Sequence, residues 1–139
     1  MKILLDTNVL SEVMRHQPEP AVIAWIDAQD PGELWTCTIV VAEVFSGLDL
    51  MPEGRRKRQL IKKAEQVFST LFAGRICAFD QTAAKVYGAI LRTRRAAGRP
   101  IDEMDAMIAA TALANDATLA TRNIADFEQS GVELINPWQ

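Results

Sequence analysis

Four short acidic tracts lie along the chain, each bounded by apolar residues. They are Asp6 in Leu4-Leu5-Asp6-Thr7-Asn8, Glu43 in Val41-Ala42-Glu43-Val44-Phe45, Asp105 in Met104-Asp105-Ala106-Met107-Ile108, and Asp126 in Ile124-Ala125-Asp126-Phe127. An unpaired carboxylate is costly to bury, and a cluster of them needs a compensating cation. A divalent metal is the simplest one. An all-oxygen ligand set selects hard ions, so Mg2+ or Mn2+ is expected. Such an ion polarises a phosphate and lowers the pKa of an attacking water, which makes phosphodiester hydrolysis the chemistry these residues predict. The single histidine, His16, lies in a turn beside Gln17-Pro18, so zinc chemistry built on histidine is not expected. Activated water is then the expected nucleophile.

Each position also has an ordinary structural role. Asp6 suits a helix N-cap or an Asx-turn, and Asn8 stands where a phosphoryl-aspartate hydrolase would carry a second Asp. Glu43 sits among apolar neighbours, which predicts a helix buried nearly all round and a carboxylate that needs a partner. Asp102 suits an N-cap with Asp105 three residues on, and the two roles are compatible if Asp105 turns inward. Thr121, Arg122, Asn123 and Asp126 read either as a capped helix start or as a second group of ligands. Asn8, Thr121, Arg122 and Asn123 are candidates for orienting carboxylates or touching substrate.

These residues need a scaffold that gathers them. Ile3-Leu4-Leu5, Leu34 to Cys37, Ile76 to Phe79, Thr118 to Thr121 and Val132 to Ile135 read as strands. Helices are expected from Thr7 or Asn8 to Met14, around Val22 to Ile26, from Ile39 to Leu50, through Leu60 to Phe72, from Asp80 to Ala97 and from Asp102 to Asn115. Alternation of this kind predicts an α/β domain over residues 1–139. Its central, mostly parallel sheet of about five strands should be flanked by helices in three layers. Ligands of such sheets bind outside the carboxyl ends of the strands. Asp6 and Thr121 both follow strands directly.

Nearly half of the 139 residues are hydrophobic, which excludes a disordered chain. The net charge of −3 gives no global attraction to nucleic acid. Local basic tracts must supply any. Arg55-Arg56-Lys57-Arg58 with Lys62 and Lys63 reads as a solvated helix face, whereas Arg92, Arg94, Arg95 and Arg99 are placed to steer a phosphate backbone toward Asp105. Cys37 and Cys77 read as buried thiols. No stretch reaches membrane-spanning length, and a cytoplasmic location is expected.

Taken together the tracts resemble the PIN-domain nucleases, and among them the VapC-type toxins of toxin–antitoxin pairs. Leu5-Asp6-Thr7-Asn8 is similar to the opening motif of that family. Val41-Ala42-Glu43 with Ser46-Gly47-Leu48 is similar to its second, Asp105 to Ala112 to its third, and Ala120-Thr121-Arg122-Asn123 with Asp126-Phe127 to its fourth. Phe72-Ala73-Gly74-Arg75-Ile76 and Asn136-Pro137-Trp138 look like the FitB-like branch. Asn123 is a departure, because members of that branch can carry Asp there. The acidic residue here comes three positions later, as Asp126, and Asn123 can still offer a neutral oxygen. The resemblance implies an endoribonuclease acting on RNA, with Asp6, Glu43, Asp105 and Asp126 as catalytic metal ligands. It also implies a homodimer and a VapB- or FitA-like antitoxin that blocks the site within a larger assembly. Two other readings are a PIN-like module that binds and dimerises without cutting, and a receiver-like phosphoacceptor domain. The second lacks a suitable lysine after a late strand.

Overall fold

Three consecutive apolar residues at the amino terminus suit a strand covered on both faces. The computed structural model, which describes all 139 residues, places them there. β1 (Lys2–Leu5) is followed by α1 (Thr7–Val13), α2 (Pro20–Asp27), β2 (Leu34–Cys37), α3 (Thr38–Asp49) and α4 (Arg55–Gln66). Then come β3 (Ile76–Cys77), α5 (Gln81–Ala96), α6 (Glu103–Ala114), β4 (Ala117–Ala120), α7 (Ile124–Phe127) and β5 (Leu134–Ile135). The five strands form one sheet in the order β3-β2-β1-β4-β5. Every pairing is parallel. The expected α/β architecture is therefore present, with all strands parallel.

The two central strands carry the burial. Ile3, Leu4 and Leu5 of β1 and all four residues of β4 are inside. α6 buries Ala106, Ile108, Ala109, Ala110, Thr111 and Ala112, so it is apolar nearly all round. Its small side chains suit a helix packed between the sheet and α5.

Four expectations need correction. α3 is not buried nearly all round. It buries the stripe Val40, Val44 and Leu48, and leaves Glu43 half-buried. The helix through Leu60 to Phe72 ends at Gln66 and widens into a π-helical turn, Val67–Leu71. That turn directs Val67, Phe68 and Phe72 inward. Phe68 then stacks at tilted angles on Phe45 and Phe72, with ring centroids 5.8 and 6.4 Å apart. β3 stops at Cys77 because the Phe79 amide donates to Thr38 Oγ1 at 3.1 Å instead of to a neighbouring strand. Finally, Lys57 is not part of a solvated face. It is buried, and its Nζ donates to the Asp49 carbonyl at 2.9 Å and to Glu53 at 2.5 Å. The ammonium thereby closes the last turn of α3, where a cation complements the helix dipole.

Cys37 and Cys77 are both buried free thiols, and burial pushes the Cys37 thiol up to about 12. No helix is long and apolar enough to cross a membrane.

The Lys57 contact gives a direct expectation. Lys57→Met keeps the apolar stem and removes the cap, so urea unfolding should show a loss of about 1–2 kcal/mol. An unchanged midpoint would mean the ammonium contributes nothing to α3.

Candidate active site

In an open parallel sheet a crevice forms where the chain leaves adjacent strands in opposite directions. Here that point lies between β1 and β4. Asp6 follows β1, and its amide donates to the Ala120 carbonyl at 3.0 Å, so it sits on the last rung of that pair. The carboxylate is 5% exposed. Its Oδ1 accepts from the Thr7 amide at 2.8 Å and caps α1. Its Oδ2 accepts from Thr121 Oγ1 at 2.7 Å. The ordinary role of a cap and a place in the cluster thus coexist in one residue.

Thr7 also reaches the second carboxylate. Its Oγ1 donates to Glu43 Oε1 at 2.6 Å, which ties α3 to the start of α1. Asn8 Nδ2 lies 3.4 Å from Asp6 Oδ2 and 3.3 Å from Thr121 Oγ1, while its Oδ1 accepts from the Arg122 amide at 3.3 Å. Thr121 is fully buried, and its Oγ1 also accepts from the Asn123 amide at 3.1 Å. Thr121 and Asn8 are therefore orienting groups within hydrogen-bond reach of Asp6.

Asp102 caps α6, accepting from the amides of Met104 and Asp105 at 3.1 and 3.4 Å. Asp105 is half-buried on the first turn. Burial first, and then the negative charges of Asp6, Asp102, Asp126 and Glu43, push its carboxyl up to about 7. Asp6 is raised as well. Burial is the main cause, opposed by the bonds from Thr121 and Thr7 and reinforced by Glu43 and Asp126. Asp126, on the single turn of α7, is exposed yet acts on both partners. The four acidic tracts of the sequence therefore share one edge of the sheet.

No lysine or arginine neutralises them. The ion pairs of the molecule lie elsewhere, at Met1–Glu33, Arg15–Glu12, Lys57–Glu53 and Arg99–Glu128. No three acidic, His or Cys side chains stand close enough together to make a finished metal cage. The donor set nonetheless fits a hard divalent cation. It is oxygen-only, of one sign and partly desolvated, and two of its members are held above their ordinary range by burial first and by neighbouring negative charge second.

Several side chains fall elsewhere than expected. Arg94 is buried, and its guanidinium is occupied by the carbonyls of Arg99, Asp126 and Glu128. Arg99 is paired with Glu128 and the Ala125 carbonyl. Neither is free to steer a phosphate backbone. The Arg122 guanidinium lies over the Trp138 ring, 5.1 Å from its centre. It is not paired with Asp126. Asn123 is exposed, and its side chain makes no capping bond. Thr7 is the residue that sequence reasoning missed, since it was read only as a possible helix start. The available signal was its place between the strand-ending Asp6 and Asn8.

The PIN domain family profile matches residues 3–130. The plasmid stability protein StbB of Pseudomonas syringae pv. tomato is 47% identical, over 99% of this chain and 99% of its own. The VapC ribonuclease Y4jK of Sinorhizobium fredii is 40% identical, over 99% and 98%. The toxin FitB of Neisseria gonorrhoeae is 40% identical over 98% of each. A chain of the crystal structure of FitAcB from that organism superposes with a TM-score of 0.92, covering 99% of both chains. A carboxylate-edged parallel sheet of this order, matched end to end by such relatives, leaves one assignment: the chain belongs to the PIN-domain family, in the branch that holds VapC ribonuclease Y4jK and toxin FitB.

Proposed function

We propose that the chain is a Mg2+- or Mn2+-dependent endoribonuclease and the toxin of a toxin–antitoxin pair. Asp6, Glu43 and Asp105 would be its main metal ligands and Asp126 the fourth carboxylate. One observation carries the chemistry: Asp6 and Asp105 are both raised by burial and by like charge, with no cation paired to the cluster. The VapC ribonuclease relative supports the substrate class, and the FitB toxin supports the biological setting.

When bound, the metal supplies a Lewis acid that polarises the scissile phosphate and acidifies the attacking water. The chain's own residues do the rest. Thr121 and the Thr7 amide fix both oxygens of Asp6, so this carboxylate does not reorient during the reaction. Thr7 holds Glu43 by its hydroxyl, leaving the second carboxylate oxygen free of that bond. Asp105, with its proton held near neutrality, gives up that proton when positive charge arrives. Asn8 lies beside Asp6 and Thr121 and accepts from the Arg122 amide, while exposed Asn123 is free of a capping bond, so its neutral amide could meet a phosphate or a water.

The partner of such a toxin has a place to sit. An apolar cavity of about 370 Å³ is lined by Leu5, Leu10, Val13, Ile26, Leu34 and Phe72 among others. Its wall includes Leu5, the residue that precedes Asp6 in the chain. We infer that an antitoxin segment fills it and brings a basic side chain to the carboxylates in place of the metal. The toxin chain is expected to form a homodimer within that assembly.

Three outcomes test this. Asp6→Asn, Glu43→Gln and Asp105→Asn should each lower Mn2+-dependent cleavage of labelled RNA more than about a hundredfold in a folded protein, since even outer partners of metal ligands are worth 10–100-fold. Asp126→Asn should lose less than Asp105→Asn but more than Asn123→Ala. Full activity in any one of the three main variants removes that residue from the ligand set.

The pH dependence of the metal-free chain has a definite sign. Asp105 binds its proton with a pKa of about 7 when folded against the ordinary 3.8. The folded state therefore holds more protons across that window. Stability is greatest below it and falls as pH rises through about 7. Thermal melts in chelator from about pH 5 to 8 should show a declining midpoint, with a flatter decline in Asp105→Asn. Identical slopes for the two proteins would refute the assignment.

For the partner, co-expression with the cognate antitoxin should abolish cleavage. Replacing that antitoxin's basic residue at the acidic edge with Ala should restore cleavage while the complex persists on size exclusion. Inhibition that survives this change would show that the cavity alone suffices.

A further inference from the structure

α7 is a single turn, and a helix this short is not stable by itself. Its last carbonyls have no partners within the helix and must find donors elsewhere. Two arginines supply them, Arg94 from the last turn of α5 and Arg99 from the corner between α5 and α6. Arg94 Nη1 donates to the carbonyls of Asp126 at 2.7 Å and Glu128 at 2.9 Å. Arg99 donates to the Ala125 carbonyl and to the Glu128 carboxylate, each at 3.0 Å.

Arg94 has a second grip. Its Nε donates to the Arg99 carbonyl at 2.5 Å, and the Arg99 amide returns a bond to the Arg94 carbonyl at 2.9 Å. The guanidinium is 4% exposed and has no carboxylate partner. A buried cation solvated only by backbone carbonyls is held by geometry, and only the planar fork of arginine reaches three such oxygens at once. One side of this fork touches the corner that leads into Asp102 and Asp105. The other touches the turn that carries Asp126.

We propose that Arg94 is a positioning residue that sets the spacing between Asp105 and Asp126, and so the span of the acidic site, with Arg99 as its lesser partner. The inference rests on the metal-site reading above. A merely structural arginine would support stability without acting through Asp126, and the test separates the two.

Mn2+ affinity is measured on the metal-free full chain, by the free-Mn2+ electron paramagnetic resonance signal, in the presence and absence of the Asp126→Asn change. Arg94→Met should weaken Mn2+ binding about tenfold when Asp126 is present and less than about twofold when it is Asn. Arg94→Lys should not rescue it, because an ammonium does not span the three carbonyls. If circular dichroism shows Arg94→Met unfolded, Arg99→Gln carries the same test, with an expected loss of about threefold that again vanishes without Asp126. Equal weakening in both backgrounds, or wild-type affinity in a folded Arg94 variant, overturns the inference and leaves the metal centre standing. No Mn2+ binding by the unaltered chain overturns both.

Discussion

Negative charge gathered at one edge of an open, apolar sheet is the constraint to which the rest of the molecule answers. Asp6 is buried and Asp105 half-buried, with Glu43 and Asp126 close enough to be felt by both. Nothing cationic from the chain comes to relieve them. Such a group stays assembled only if other forces hold its parts. Those forces are the hydrogen bonds from Thr7 and Thr121, the cap of Asp102 on α6, and the buried packing of β1, β4 and α6 beneath. The fold stores an electrostatic imbalance that a divalent ion would relieve.

The molecule uses its positive charges differently from what their number suggests. Lys57 closes the end of α3, and Arg94 and Arg99 close the end of α7. In each case a cation meets backbone carbonyls at a helix terminus. Basic surface remains on the outer face of α4, with Arg55, Arg56, Arg58, Lys62 and Lys63 exposed, and on α5, with Arg92 and Arg95 exposed.

Legibility in the sequence followed the range of the forces involved. β1 and β4 were readable because continuous apolar runs admit few alternatives, and Asp6 was readable because it ends such a run. The helix starts at Asp80 and Asp102 were readable because capping is local. The widened turn after Gln66 was not, since it follows from how Phe68 must meet Phe45 across the core. Lys57 and Arg94 were misread for a related reason: a sequence shows the charge but not the carbonyl it will meet, which for Arg94 lies more than thirty residues away. The bridge from Thr7 to Glu43 spans a similar gap and left only the side chain's position as a clue. That Asp6 and Thr121 would lie at the carboxyl ends of strands was foreseeable from the alternation of elements, whereas the hydrogen bonds that orient the carboxylates were not.

The pairing of β1 with β4 joins the start of the chain to its final quarter, since Leu5 is in register with Ala120. Parallel pairing over such a separation forms slowly and late. Synthesis delivers Asp6, Glu43 and Asp105 before the segment that provides Thr121, the hydroxyl that locks Asp6. A chain still emerging from the ribosome has its carboxylates but not their alignment. For the nuclease proposed above, this ordering would be a built-in delay: the edge would become competent only once the protein is nearly finished, which is also when a partner could first close over it.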